Sequence, residues 1–163
     1  MRIEPATAAD VYEVALDMRE RDFRELTALM PTDAREAVAK TLALQYGDRG
    51  DILAVFSGEN PICIGATIET RPNVVTALFF ATDRFHEVAV PLTRFIRREL
   101  FPRLKTAGVH RIEAASLLEY TQMHRWLKVL GLEQETGPMA GYGKRGESFV
   151  QFAWSSYAGT AGA

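Results

Sequence analysis

The stretch Val109–Leu132, VHRIEAASLLEYTQMHRWLKVLGL, decides how the rest of the chain is read. Val109 to Ala115 is bounded by Gly108 and by polar Ser116, which is the punctuation of a short buried strand. Within Glu119 to Leu130, Tyr120, Met123, Leu127 and Leu130 recur at offsets of three and four and make one apolar stripe on a helix. Lys128 sits in the last turn, and Gly131 supplies an end able to take positive φ. Strand, loop, helix and glycine stop describe an α/β unit. The elements on either side decide which one.

Before it, Pro91 to Ala107 reads as a helix with Leu92, Phe95, Ile96, Leu100 and Leu104 inward and Arg94, Arg97, Arg98, Arg103 and Lys105 mainly outward. Pro91 suits a first turn, whereas Pro102 predicts a kink or a division. Earlier still, Asp51 to Ser57, Ile62 to Thr70 and Val74 to Thr82 are rich in Ile, Val, Phe and Thr. The turns Ser57-Gly58-Glu59-Asn60-Pro61 and Arg71-Pro72-Asn73 separate them, so they predict an antiparallel meander.

The N-terminal third predicts a brief strand, Met1 to Glu4, and then helices. Thr7-Ala8-Ala9-Asp10 is a capping-box pattern, and Val11, Val14, Ala15 and Met18 fall on one face. A second helical pattern runs through Phe23, Leu26 and Met30 and stops at Pro31. Thr32 is the expected cap of a third, with Ala34, Ala37, Val38, Thr41 and Leu44 inward and an end near Tyr46 and Gly47. Beyond Gly131, Leu132 to Met139 and Ser148 to Ser155 predict a closing hairpin, and the chain from 156 to 163 reads as a loose tail.

With 163 residues, 47% hydrophobic and 25% charged, the chain is long enough for one good core, so residues 1–155 are expected to form a single domain. A net charge of −2 gives no general attraction to nucleic acid or anionic membranes. Nothing resembles a signal peptide or approaches the roughly 20 apolar residues of a membrane span, so a cytoplasmic protein is expected. The single Cys63 lies in the run Ile62-Cys63-Ile64 and reads as a small core residue.

Laid end to end, these elements predict an α/β domain whose central mixed sheet carries helices on both faces. The order resembles the GNAT (N-acetyltransferase-like) superfamily from Met1 to about Trp154. HRIEAASLLEYTQMHRWLKVLGLEQE has the shape of that family's penultimate strand and helix, and the glycine-rich hairpin before Ser148-Phe149-Val150-Gln151-Phe152 is also similar. The resemblance implies an acyl-CoA-dependent N-acyltransferase, with acetyl-CoA or CoA as cofactor and an amine, on a small molecule or a protein, as acceptor. A homodimer is compatible with it.

Two family features are missing. The loop after the fourth strand usually carries Arg/Gln-x-x-Gly-x-Gly/Ala, whose backbone donors hold the CoA pyrophosphate. Here it reads Thr82-Asp83-Arg84-Phe85-His86-Glu87-Val88-Ala89-Val90, with no glycine. Some phage-encoded relatives also lack this signature. The resemblance then implies that CoA lies between the fourth and penultimate strands; the unpaired first-turn amides of the next helix make Phe80, Ala81, Thr82, Arg84, Val88, Ala89, Val90 and Arg94 the expected contacts, with Arg97 or Arg98 as further candidates for the charge. The family's Tyr proton donor, four residues before the helix-ending glycine, is replaced by Leu127, which has no proton to give.

Tyr120 is therefore the candidate acid. For a base that takes a proton from the amine, Glu69, Glu113, His86 and His124 are available; Glu113, alternating with Ile112 and Ala114, is preferred, and His86 competes as a loop residue near the expected cofactor, histidine being the side chain suited to proton transfer near neutral pH.

Other chemistries have less support. His86, His110, His124 and Cys63 show no close metal-ligand pairing, so no metal is expected. Gly141-x-Gly143-x-x-Gly146 lies between two strands and opens no helix, so it is a hairpin and not a dinucleotide fingerprint. The alternative from another class is a GNAT-like domain without turnover, serving as a binding protein or as a phage virion or host-modulating protein.

Overall fold

The computed structural model describes residues 1–158; of the tail expected from 156 onward, residues 159–163 lie outside the described residues. The strands are β1 Arg2–Pro5, β2 Ile52–Ser57, β3 Asn60–Arg71, β4 Val74–Ala81, β5 Arg111–Leu117, β6 Glu133–Gln134 and β7 Phe149–Ser155. They form one seven-stranded mixed sheet in the order β1-β2-β3-β4-β5-β7-β6. The helices are α1 Ala8–Leu16, α2 Glu20–Thr27, α3 Arg35–Tyr46, α4 Ala89–Phe95, α5 Phe101–Thr106 and α6 Thr121–Leu130. Two compact units are present, Met1–Thr67 with Leu78–Leu92, and Ile68–Ala77 with the residues from Thr93 on; β3 and β4 contribute to both.

In the first unit the capping box is fully made. Thr7 Oγ1 accepts from Asp10 N at 3.1 Å, and Asp10 Oδ2 accepts from Thr7 N at 2.9 Å. Val11, Val14, Ala15 and Met18 are all buried, as their spacing requires, although Met18 lies beyond the end of α1 and forms a bridge with Thr82. The inward face of α3 differs from the expected one: Val38, Ala39 and Leu42 are buried, while Leu44 is 88% exposed.

The reason is at the two ends of that helix. Thr32 does not cap it; its hydroxyl accepts from Ala34 N at 3.2 Å, and Ala34 takes the cap position without a side-chain bond. At the other end a Cβ on Gly47 would lie 2.4 Å from Ala8 Cα, so the end of α3 is pressed against the start of α1 and the packing fixes its rotation. Gly47 is thus selected by close approach, since its φ of −70° suits any residue.

Of the expected meander, β2 pairs antiparallel with β3 and β4 is the next strand of the sheet, while β1 pairs antiparallel with β2 on its other side. Cys63 is fully buried, and burial pushes its thiol up to about 12, so it is inert core.

In the second unit, Pro102 acts upstream of itself. Ile96–Leu100 forms a π-helical turn in which Phe101 N donates to Ile96 O, five residues back. Pro102 lacks an N–H, so the ladder is already broken there, and the extra residue advances the helical phase by one. Phe101 is therefore buried, while Leu100 and Leu104, expected inward, are half-buried.

The strand β5 begins two residues later than the spacing predicts, because Val109 N donates to Leu104 O and closes the helix before it. It runs parallel to β4 through Val74–Arg111, Val75–Ile112 and Thr76–Glu113, and pairs antiparallel with β7 from Arg111–Ser155 to Leu117–Phe149. The expected strand Leu132 to Met139 shrinks to β6 and one bridge, Met139–Phe149. Ser156 N donates to His110 O at 3.0 Å, so residues 156–158 begin as an anchored turn. No helix among the described residues is long and apolar enough to cross a membrane.

Candidate functional site

At its C-terminal end β4 passes into the loop in which the sequence places the cofactor. Phe80 and Ala81 are fully buried, and Thr82 nearly so. Thr82 N donates to Ile62 O at 2.9 Å, toward β3. Successive strand residues alternate, so the N–H and C=O of Ala81 face away from β3. Both are engaged. Ala81 N donates to Asp22 Oδ2 at 2.8 Å, and Arg19 N donates to Ala81 O at 2.8 Å.

The Arg19 guanidinium completes this arrangement. It donates to both oxygens of Asp22 at 2.8 to 3.0 Å, and the Asp22 side chain is 1% exposed. Its carbon centre lies 5.0 Å from the Phe85 ring centroid and 5.8 Å from that of Phe79. Sequence reasoning missed this pair. A carboxylate is ordinarily a surface group, and nothing in the local spacing marks this one as buried.

The loop itself winds into a 3-10 turn, Asp83–Glu87, held by Phe85 N to Thr82 O and Val88 N to Phe85 O. Arg84 is exposed and paired within the turn. Its Nε and Nη2 donate to the two oxygens of Glu87 at 2.7 and 3.0 Å, and this bonding, with a further hydrogen bond from Ser57, pulls Glu87 down to about 2. His86 is exposed, with Nδ1 3.2 Å from Asp83 O.

Val88 is core, Ala89 half-buried and Val90 69% exposed. Pro91 brings no N–H, and Leu92 N is already bonded to Val88 O. Arg94 is exposed, makes no ion pair among the described residues, and stands one turn along α4 from Val90. Thr82 Oγ1 is buried without a hydrogen-bond partner.

At β5 and α6 the acid–base candidates separate. Glu113 is committed to two cations: Oε1 accepts from Arg71 at 3.0 Å and Oε2 from Arg111, which in turn holds Glu135. Glu69 accepts from Asn73 N at 2.8 Å and shapes the turn after β3. Tyr120 is the N-cap of α6 and 6% exposed.

His124 lies one turn further on. Its Nε2 is 2.9 Å from Leu117 O, and its ring is 5.1 Å from that of Phe152. A carbonyl only accepts, so Nε2 carries the proton and Nδ1 the lone pair. Burial holds its pKa below the ordinary value. Leu127 is core, and Gly131 ends the helix at φ 97°. Among the described residues no cluster of His, Cys, Asp and Glu could hold a metal ion.

No protein-family model and no curated protein sequence matches the chain. Solved structures do. A GNAT-family acetyltransferase from Bacillus anthracis superposes with a TM-score of 0.69 at 14% identity, covering 94% of this chain and 93% of its own. The ribosomal-protein-S18-alanine N-acetyltransferase from Escherichia coli gives 0.66 at 16% identity over 94% and 92%. An acetyltransferase from Bacillus subtilis in complex with CoA gives 0.61 at 14% over 94% and 97%. At these identities the likeness shows the fold, and the fold is that of the GNAT acetyltransferases.

Proposed function

We propose that the chain is an acyl-CoA-dependent N-acyltransferase that moves an acyl group, in the first instance acetyl, onto an amine. The observation that supports this most is the fold, shared along more than nine-tenths of the chain with acetyltransferases of which one was solved with CoA. Within it, β4 pairs with β5 over three residue pairs, while β5 continues against β7. The acyl-CoA supplies a thioester carbonyl for the amine to attack.

The residues present fit that group in part of the expected set. Arg84 is neutralised by Glu87, which leaves Arg94, beside Val90 on α4, as the cation of the expected set that is open to a phosphate. Phe80, Ala81, Thr82, Val88 and Ala89 remain in the assignment as the buried wall and the backbone beneath it.

For proton transfer we assign His124 ahead of Glu113 and His86. Its lone pair on Nδ1 is neutral at pH 7 and takes the proton of the amine, whereas Glu113 is held by Arg71 and Arg111 and His86 sits exposed on the surface of the turn. Tyr120, one turn before His124 on α6, is the proton donor to the departing thiolate. We place the reaction in the cytoplasm, the host's if the chain is phage-encoded.

The test is incubation with acetyl-CoA and a panel of amines (polyamines, lysine side chains and peptide N-termini), with thiol release and product mass recorded. Acyl transfer to any class supports the reading, and its absence with all classes counts against turnover. A second reading is favoured by one observation, the glycine-free loop with its internal Arg84–Glu87 pair: a GNAT-like domain without turnover that acts as a binding protein.

A further inference from the structure

We infer that the segment joining α1 to α2 is a self-made plug on the edge of β4, and that an acyl donor has to displace it at Ala81. This rests on the acyl-CoA reading above. The N–H and C=O of Ala81 face away from β3, and a strand edge of this kind is a template for any extended chain that carries amides. The arm of an acyl-CoA is such a chain, with two amide groups.

In this structure the rung is filled from within. Arg19 N occupies the carbonyl, the Asp22 carboxylate occupies the amide, and Met18 forms an antiparallel bridge with Thr82. The plug is more than a loop resting on an edge. Asp22 is 2% exposed and is held by a two-pronged guanidinium contact, while Arg19 also covers Phe85 of the loop assigned to the cofactor. One segment therefore ties the end of β4 to the Asp83–Glu87 turn. Beside it the Thr82 hydroxyl is buried and unpartnered, a polar atom that the plugged state leaves unsatisfied.

The chemistry predicts which side chain holds the plug. Ala81 N–H bonds an ionised carboxylate, and a hydrogen bond to a charged group is stronger than the amide–amide bond an incoming arm would offer. Removing the carboxylate should thus favour the arm.

The experiment titrates CoA into wild type, Asp22→Ala and Asp22→Asn by calorimetry, with thermal melts to verify folding. Asp22→Asn keeps the shape and stands in if Asp22→Ala does not fold. The expected result is CoA affinity raised about tenfold in Asp22→Ala, the range of one charge-assisted hydrogen bond, with a smaller rise in Asp22→Asn. Binding by a variant where wild type shows none is the stronger form of the same result. Folded variants that bind CoA as tightly as wild type, or more weakly, overturn the plug while leaving the acyl-CoA reading intact. If wild type and both folded variants bind no CoA, the acyl-CoA reading fails and the plug with it.

Discussion

Nε of Arg84 lies 2.7 Å from Oε1 of Glu87, three residues on in the same turn. A cation expected to meet phosphate is thus spent on a neighbour, and the loop's net contribution from this pair is nil. Removing both charges, Arg84→Ala with Glu87→Gln, should leave CoA binding little changed, whereas Glu87→Gln alone should free Arg84 and strengthen it, most at low salt. Calorimetry of both proteins at two ionic strengths checks this; a large loss of binding in the double variant would place the phosphate on Arg84 after all.

The same pair has a pH signature. Glu87 is depressed from 4.5 to about 2, so its contribution to stability is present above about pH 4.5 and is lost as pH falls from there toward 2. Acid denaturation of Glu87→Gln, compared with wild type, should show a shallower loss in that window.

His124 and Glu113 make opposite predictions. His124→Phe keeps a ring against Phe152 and removes the lone pair, so turnover should fall about a hundredfold or more. The base works neutral and its pKa is lowered from 6.5, so the acid limb of kcat/KM should lie below pH 6.5 and vanish in the variant. A variant with unchanged rate and unchanged acid limb would remove His124 from the mechanism.

Glu113→Gln should behave as a structural change. It weakens the contacts to Arg71 and Arg111 and should cost about 1 kcal/mol, near the upper end for ion pairs that are not deeply buried. Melting should drop by about 2–4 °C with kcat nearly unchanged. A collapse of kcat with an unchanged melting point would restore Glu113 as the base.

Gly47→Ala tests the packing that sets α3. The new Cβ would meet Ala8 backbone at 2.4 Å, and overpacking of this kind costs about 1–3 kcal/mol. A wild-type melting curve for Gly47→Ala would mean that the contact gives way freely.

What was legible in the sequence was what local spacing controls. The stripe Tyr120, Met123, Leu127, Leu130 is buried as a set, Gly131 has positive φ, the Thr7–Asp10 box is closed, and β4 and β5 run parallel. What was not legible depended on how the turns and distant segments bring partners together. Leu44 fits a helical face as well as Leu42 does until Gly47 is pressed on Ala8. Arg84 looks like an open cation until the turn brings it onto Glu87, and Glu113 looks like a base until Arg71 arrives from another strand. Asp22 was the hardest, because a carboxylate is ordinarily a surface group and its partner amide, Ala81, carries no mark in the sequence. The π-helical turn before Pro102 was half legible: a break was foreseen, but its one-residue change of phase was not.

The most direct test of the central claim is calorimetric titration of the wild-type chain with acetyl-CoA. The account predicts saturable binding at one site per chain, with an affinity on the order of the 1 μM to 1 mM range usual for enzyme substrates, and weakened by Arg94→Glu. No binding heat with acetyl-CoA from the folded wild-type chain and from folded Asp22→Ala alike, at a concentration of several millimolar and at more than one temperature, would contradict it.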